Sequence, residues 1–138
     1  VFSECFKTPS GMPFEERLKL IGTEIKEKIK KYKPEILAIE TLFLTNNQKT
    51  VMRVAEARGV VLYEAVSADL QIFELSPLQI KMSITGYGRA DKKQILKMVK
   101  MLVKIEDSKN SDDELDAIAV ALAGFAETKN IKRLVKKS

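Results

Sequence analysis

Residues 34–45, PEILAIETLFLT, constrain the fold more than any other stretch of the 138-residue chain. Ile36, Leu37, Ala38, Ile39, Leu42, Phe43 and Leu44 form a short apolar run of the kind a buried parallel strand presents. Pro34 in front of it stops any preceding helix. One carboxylate, Glu40, interrupts the run. A desolvated, unpaired charge costs on the order of several kcal/mol, so Glu40 must either reach the solvated end of the strand or hold a cation. Sites in open α/β sheets form at the carboxyl ends of strands.

The flanking pattern supplies the elements around that strand. Residues 1–8, VFSECFKT, alternate as a strand does. A turn at Pro9, Ser10 and Gly11 follows, and then Phe14, Leu18, Ile21, Ile25 and Ile29 recur at helical spacing over residues 13–32. Strand, helix and strand in this order predict a crossover unit and a sheet with helices on its faces. Past the central strand, the turn Thr45-Asn46-Asn47 opens a helix running to about Ser67, with Gly59 inside it as either a tolerated kink or a place of close backbone approach. Residues 71–75 read as a strand, and Ser76-Pro77 as the cap and first turn of a helix through Met82.

Two further stretches carry charge. TGYGRAD at residues 85–91, followed by Lys92 and Lys93, reads as a mobile basic loop leading into a helix over residues 92–105 capped by Asp91. A lone GxG is a weak phosphate signature. In SDDELDAIAVALAGFA, residues 111–126, Ser111 and Glu114 form a capping box that places Asp112 and Asp113 in the first helical turn and Asp116 just beyond. Acids in a first turn are expected from the helix dipole alone. From Ala117 onward the helix is apolar all round, which predicts that protein surrounds it. If it lies beside the central strand, Asp113 and Asp116 converge on Glu40, and clustered carboxylates call for a hard divalent cation.

Composition removes other chemistries. The chain has no histidine, which excludes His general bases, Ser-His and Cys-His pairs and the common zinc sites. Cys5 is the sole cysteine, so no intramolecular disulfide forms. Nothing resembles a signal peptide or a membrane span, and a cytoplasmic location is expected. A formal charge of +5 is compatible with a polyanionic partner.

Taken together, LAIETLF at residues 37–43, AEARGV at 55–60, LQIKMSITGYGRADKKQI at 78–95 and DELDAIAVALA at 113–123 resemble the RuvC family of Holliday-junction resolvases. The resemblance implies an α/β, ribonuclease H-like fold, a mixed sheet flanked by helices, over residues 1–127, followed by a basic tail at 128–138. It implies a homodimer that cuts four-way junction DNA by divalent-metal-dependent hydrolysis, with a branch-migration motor complex as a further partner. Glu40, Asp113 and Asp116 match three acidic ligands for Mg²⁺ or Mn²⁺. Lys81 and Lys92 match basic residues near the scissile phosphate, and Phe43 matches an aromatic that stacks on a base. By charge alone, Arg89 and Lys93, with Lys132, Arg133, Lys136 and Lys137, are expected on DNA phosphates, the tail reading equally as a frayed, solvated helix end. The family's first carboxylate lies in an Asp-Pro-Gly motif on an N-terminal strand, and that motif does not occur in this sequence. The expectation is therefore a chain lacking the first strands of the fold, with weak divalent binding and slow cleavage or none. The alternative is a junction-binding and dimerisation module without cleavage.

Overall fold

The computed structural model describes residues 2–41, 48–103 and 111–135, with side chains described through residue 129. The elements run α1 (Phe14–Tyr32), β1 (Ile36–Glu40), α2 (Gln48–Ser67), β2 (Gln71–Leu75), α3 (Pro77–Thr85), α4 (Lys92–Val103) and α5 (Asp112–Val135). β1 and β2 pair in a two-stranded sheet. The Gln71 N–H donates to Glu35 O (2.9 Å) and the Thr41 N–H to Leu75 O (2.9 Å). Both partners climb in number together, so the strands are parallel, and α2 is the crossover that parallel pairing requires.

The chain divides into two compact units, one of residues 6–37 with 42–72, the other of 1–5, 38–41 and 73–138. In the first, α1 lies against α2. Gly22 is buried, and a Cβ there would stand 3.1 Å from Val60 Cγ1, so a bare backbone lets the helices approach. Glu15 and Glu16 in the first turn of α1 and Lys30 and Lys31 in its last complement the helix dipole. Lys33, left-handed at φ 46°, closes the helix by donating its N–H to Ile29 O at 2.8 Å. Arg17 Nε donates to Thr8 Oγ1 at 2.8 Å, and the Arg53 guanidinium stands 4.8 Å from the Phe14 ring centre.

The second unit has a denser interior. Leu75, Ile80, Ile84, Val99, Leu115, Ile118, Ala119 and Ala123 form one buried cluster contributed by β2, α3, α4 and α5. Three caps fix where its helices begin. Ser76 and Gln79 exchange bonds (3.2 and 2.8 Å), Asp91 and Gln94 do the same (2.8 and 2.9 Å), and Ser111 does so with Glu114 (3.3 and 2.9 Å). Gly124 presses α5 onto β1 so closely that a Cβ there would meet Ala38 Cβ at 2.5 Å.

Three expectations are corrected. Residues 2–8 form no strand, since among the described residues no neighbouring strand offers them a ladder; Ser3 Oγ instead donates to Glu114 Oε1 at 3.2 Å. α3 runs one turn past Met82, because Gly86 at φ 70° supplies the left-handed cap that ends it. α5 is not surrounded among the described residues. Ala117, Ala121 and Phe125, four residues apart, lie on an exposed face, where Phe125 is 58% accessible and carries the Lys129 ammonium 4.7 Å from its ring centre. Apolar composition gave no sign of this, because α3 and α4 cover only the opposite side of the helix.

Candidate active site

Glu40 is the last residue of β1 and is exposed, so the carboxylate does reach the open end of its strand. Beside it lies a cavity of about 180 Å³ lined by Glu40, Pro77, Ile80, Lys81, Ile95, Asp116, Ala119 and Val120. Each wall has a local cause. The Ser76 cap starts α3 at Pro77 and so puts Ile80 and Lys81 on the cavity, while the Ser111 cap starts α5 and sets the position of Asp116.

Lys92, the first residue of α4, donates from Nζ to Asp116 Oδ2 at 3.1 Å and lies 3.8 Å from Asp112 Oδ2. The Asp116 hydrogen bond, and then its charge, hold the lysine pKa above the ordinary value, with smaller help from Asp112 and Asp113 against a little desolvation. Asp112 and Asp116 are one helical turn apart on α5, which lets a single ammonium address both.

Of the predicted site residues, Glu40, Asp116 and Lys81 thus share one cavity, and Lys92 reaches it through Asp116. Asp113 is not on the cavity wall. It sits four residues before Ala117 on the exposed face of α5, and the cavity is lined by Glu40 and Asp116 of the three acids. Arg89 and Lys93 are exposed near the start of α4. Phe43, Lys136 and Lys137 lie outside the described residues, and the side chains of Lys132 and Arg133 lie outside the described side chains.

The glycine loop is more ordered in its bonding than its composition implied. Thr85 Oγ1 donates to Lys81 O (2.8 Å) and accepts the Tyr87 N–H (3.0 Å). A Cβ on Gly88 would meet Leu78 Cδ1 at 2.7 Å. Its two glycines therefore serve a helix cap and a close contact. The pairing of Lys92 with Asp112 was not foreseen, although the Asp112/Asp116 spacing was its signal.

A family model described as "Crossover junction endodeoxyribonuclease RuvC" matches residues 1–124. The chain belongs to the RuvC family. Among curated members it is similar to the crossover junction endodeoxyribonuclease RuvC of Alkaliphilus oremlandii, 45% identical over 129 residues, which span 94% of this chain and 78% of that one. The Thermosipho melanesiensis RuvC is 44% identical over 122 residues, 88% of this chain and 78% of its own. In structure the chain resembles Thermus thermophilus RuvC with TM-score 0.81 at 28% identity, covering 89% of this chain and 74% of that one. It also resembles T. thermophilus RuvC in complex with Holliday junction substrate, with TM-score 0.83 at the same identity and coverage. The fold is accordingly ribonuclease H-like.

RuvC nucleases are metal-dependent in general, and the donor chemistry here fits a hard cation. Glu40 and Asp116 offer oxygen ligands on one cavity, and a cation, the Lys92 ammonium, already sits on Asp116. Among the described residues no third acidic, histidine or cysteine side chain joins them closely enough to complete a cluster.

Proposed function

We propose that this RuvC-family chain is a structure-specific endonuclease that cuts four-way DNA junctions by phosphodiester hydrolysis. The observation that carries this reading is the Glu40/Asp116 pair on one cavity with Lys81, and with Lys92 on Asp116. Glu40 and Asp116, with Asp113 as third acid, would hold Mg²⁺ or Mn²⁺. Bound there, a divalent ion would supply an activated water and charge stabilisation at the leaving 3′ oxygen. Lys81 and Lys92 orient and neutralise the scissile phosphate. Arg89, Lys93 and the basic tail at 128–138 take neighbouring phosphates, and Phe43 stacks on an unpaired base.

Symmetric cutting needs two copies. α2 exposes Met52, Glu56, Gly59, Tyr63 and Val66 at alternating spacings of four and three, the seam that a paired helix presents. A Cβ on Gly59 would meet nothing within 4 Å in this chain, which leaves room for a second backbone. We place the homodimer there, the protein in the cytoplasm, and a branch-migration motor complex beside it. Among the described residues no helix is long and apolar enough to cross a membrane.

The decisive assay is divalent-dependent nicking of a synthetic four-way junction. Glu40→Gln and Asp116→Asn should abolish nicking and leave junction binding intact, and full activity in either variant would remove both residues from the chemistry. A second reading, a junction-binding module without cleavage, is favoured by the two-acid count. Junction-selective binding with no nicking at any divalent concentration would establish it.

A further inference from the structure

We infer that Asp112 is a positioning residue that draws the Lys92 ammonium off Asp116 when Asp116 takes a divalent cation. The inference rests on the metal-site reading above and concerns a residue to which that reading gives no part. Lys92 is bonded to Asp116 at 3.1 Å, so its ammonium occupies the carboxylate that a cation would need. A divalent ion arriving on Asp116 repels the ammonium. The nearest second acceptor is Asp112 Oδ2, already at 3.8 Å.

Three features suit this exchange. Asp112 and Asp116 lie four residues apart on a rigid helix whose start is fixed by the Ser111/Glu114 box, so both acceptors stay in place while the lysine moves. Lys92 reaches them on a flexible stem from the first turn of α4, where the Asp91/Gln94 box holds its backbone. The side chains of Lys92, Asp112 and Asp116 are 57%, 70% and 49% exposed, so water softens the exchange and neither arrangement is trapped. The same movement leaves the ammonium beside the site, where a phosphate would meet it.

The test is a double-mutant cycle read by Mn²⁺ binding, using calorimetry and electron paramagnetic resonance at pH 7 and low ionic strength. Lys92→Gln should tighten Mn²⁺ binding about two- to fivefold, the range of an exposed ion-pair coupling, and Asp112→Asn should weaken it by a similar factor. Both charges act on a cation at long range, so these two results alone do not separate positioning from simple field effects. The double variant does. If Asp112 works through Lys92, Asp112→Asn has no effect once Lys92 is Gln. An undiminished effect in that background assigns Asp112 an independent electrostatic role and overturns the inference. Equal Mn²⁺ affinity in all four proteins does so as well, while leaving the metal site standing. If Glu40→Gln fails to remove Mn²⁺ binding, the metal-site reading itself falls. As a readout independent of affinity, the ¹⁵Nζ resonance of Lys92 should stay hydrogen-bonded on Mg²⁺ addition in wild type and lose that protection in Asp112→Asn. Loss in both would also count against Asp112.

Discussion

The two units of the chain bury their apolar residues very differently. Of the ten buried apolar residues described, nine belong to the unit that carries Glu40 and Asp116, and only Ala65 belongs to the α1/α2 unit. Both units leave large apolar side chains exposed: Tyr32, Met52, Val54, Tyr63 and Val66 between 45% and 70% in the α1/α2 unit, and Leu78, Met82, Tyr87, Met101, Leu102 and Phe125 between 49% and 65% in the other. One unit has its own core, so side chains on its surface are held in register by packing. In the other, the apolar stripe of α1 and α2 is mostly half-buried, and Glu56, Gly59 and Tyr63 of α2 line an open groove with Leu18 and Gly22 of α1. Glu40 and Asp116 thus lie in the unit with the larger buried cluster, and the proposed dimer helix in the unit with the smaller one.

Truncation tests this contrast most strongly. Leu115 is 2% exposed and stands directly before Asp116, so Leu115→Ala should cost about 2–5 kcal/mol and loosen the site in the same stroke. Denaturant unfolding reads the first effect. Tyr63, 70% exposed, should change the stability of the isolated chain by no more than about 0.5 kcal/mol when cut to alanine. Similar losses for the two would mean that the units are equally packed.

Overfilling comes next in size. A methyl on Gly124 would collide with Ala38 Cβ, two residues before Glu40 on β1. Gly124→Ala should therefore cost about 1–3 kcal/mol and shift Glu40 relative to Asp116. Gly59→Ala, where a Cβ meets nothing in this chain, should be neutral or stabilising in the monomer and harmful only to self-association. Chemical-shift mapping of β1 in each variant separates the two outcomes.

The contrast also marks what could be read from sequence. The caps at Ser76, Asp91 and Ser111 were legible because a short polar residue followed three positions later by Gln or Glu, or by Pro in the first turn, is a local device. β1 and β2 followed from short apolar runs and one proline, while the end position of Glu40 was one of two ways to satisfy its charge and comes from the structure. Residues 2–8 failed as a strand because alternation reveals a face, and a ladder needs a neighbour that no local pattern names. The expectation for α5 failed for a related reason: its residues are apolar on every side, and which side is covered depends on other elements. The close helix contact of Gly22 was not singled out in the sequence, because only the partner helix shows which glycine it meets. At the site, acid type and spacing singled out Asp113 and Asp116 alike, and only the geometry shows that Asp116 lines the cavity beside Glu40.

A smaller effect concerns the open seam of α2. Tyr63 combines a large apolar ring with high exposure on the proposed dimer face, so Tyr63→Ala should weaken self-association by about 1–2 kcal/mol, or roughly five- to thirtyfold in the dimer dissociation constant. Sedimentation velocity over a concentration series measures this directly. An unchanged constant would move the twofold contact off α2 and leave its exposed residues without that explanation.

The smallest effect separates a packed contact from an electrostatic one inside the well-packed unit. Lys92 ties the start of α4 to the first turns of α5, and its pKa is raised in the folded state, chiefly by the hydrogen bond to Asp116. A lysine raised on folding contributes stability that is fully present below its unfolded value, about 10.4, and is lost as pH climbs through the higher folded value. The melting temperatures of wild type and Lys92→Met should therefore differ by the same small amount at pH 7 and pH 9, and converge only above about pH 10.5. The deficit of Leu115→Ala, which arises from a cavity, should persist across that range. A Lys92→Met deficit that also persisted above the folded pKa would show that the aliphatic stem, and not the charge, makes the contact between α4 and α5.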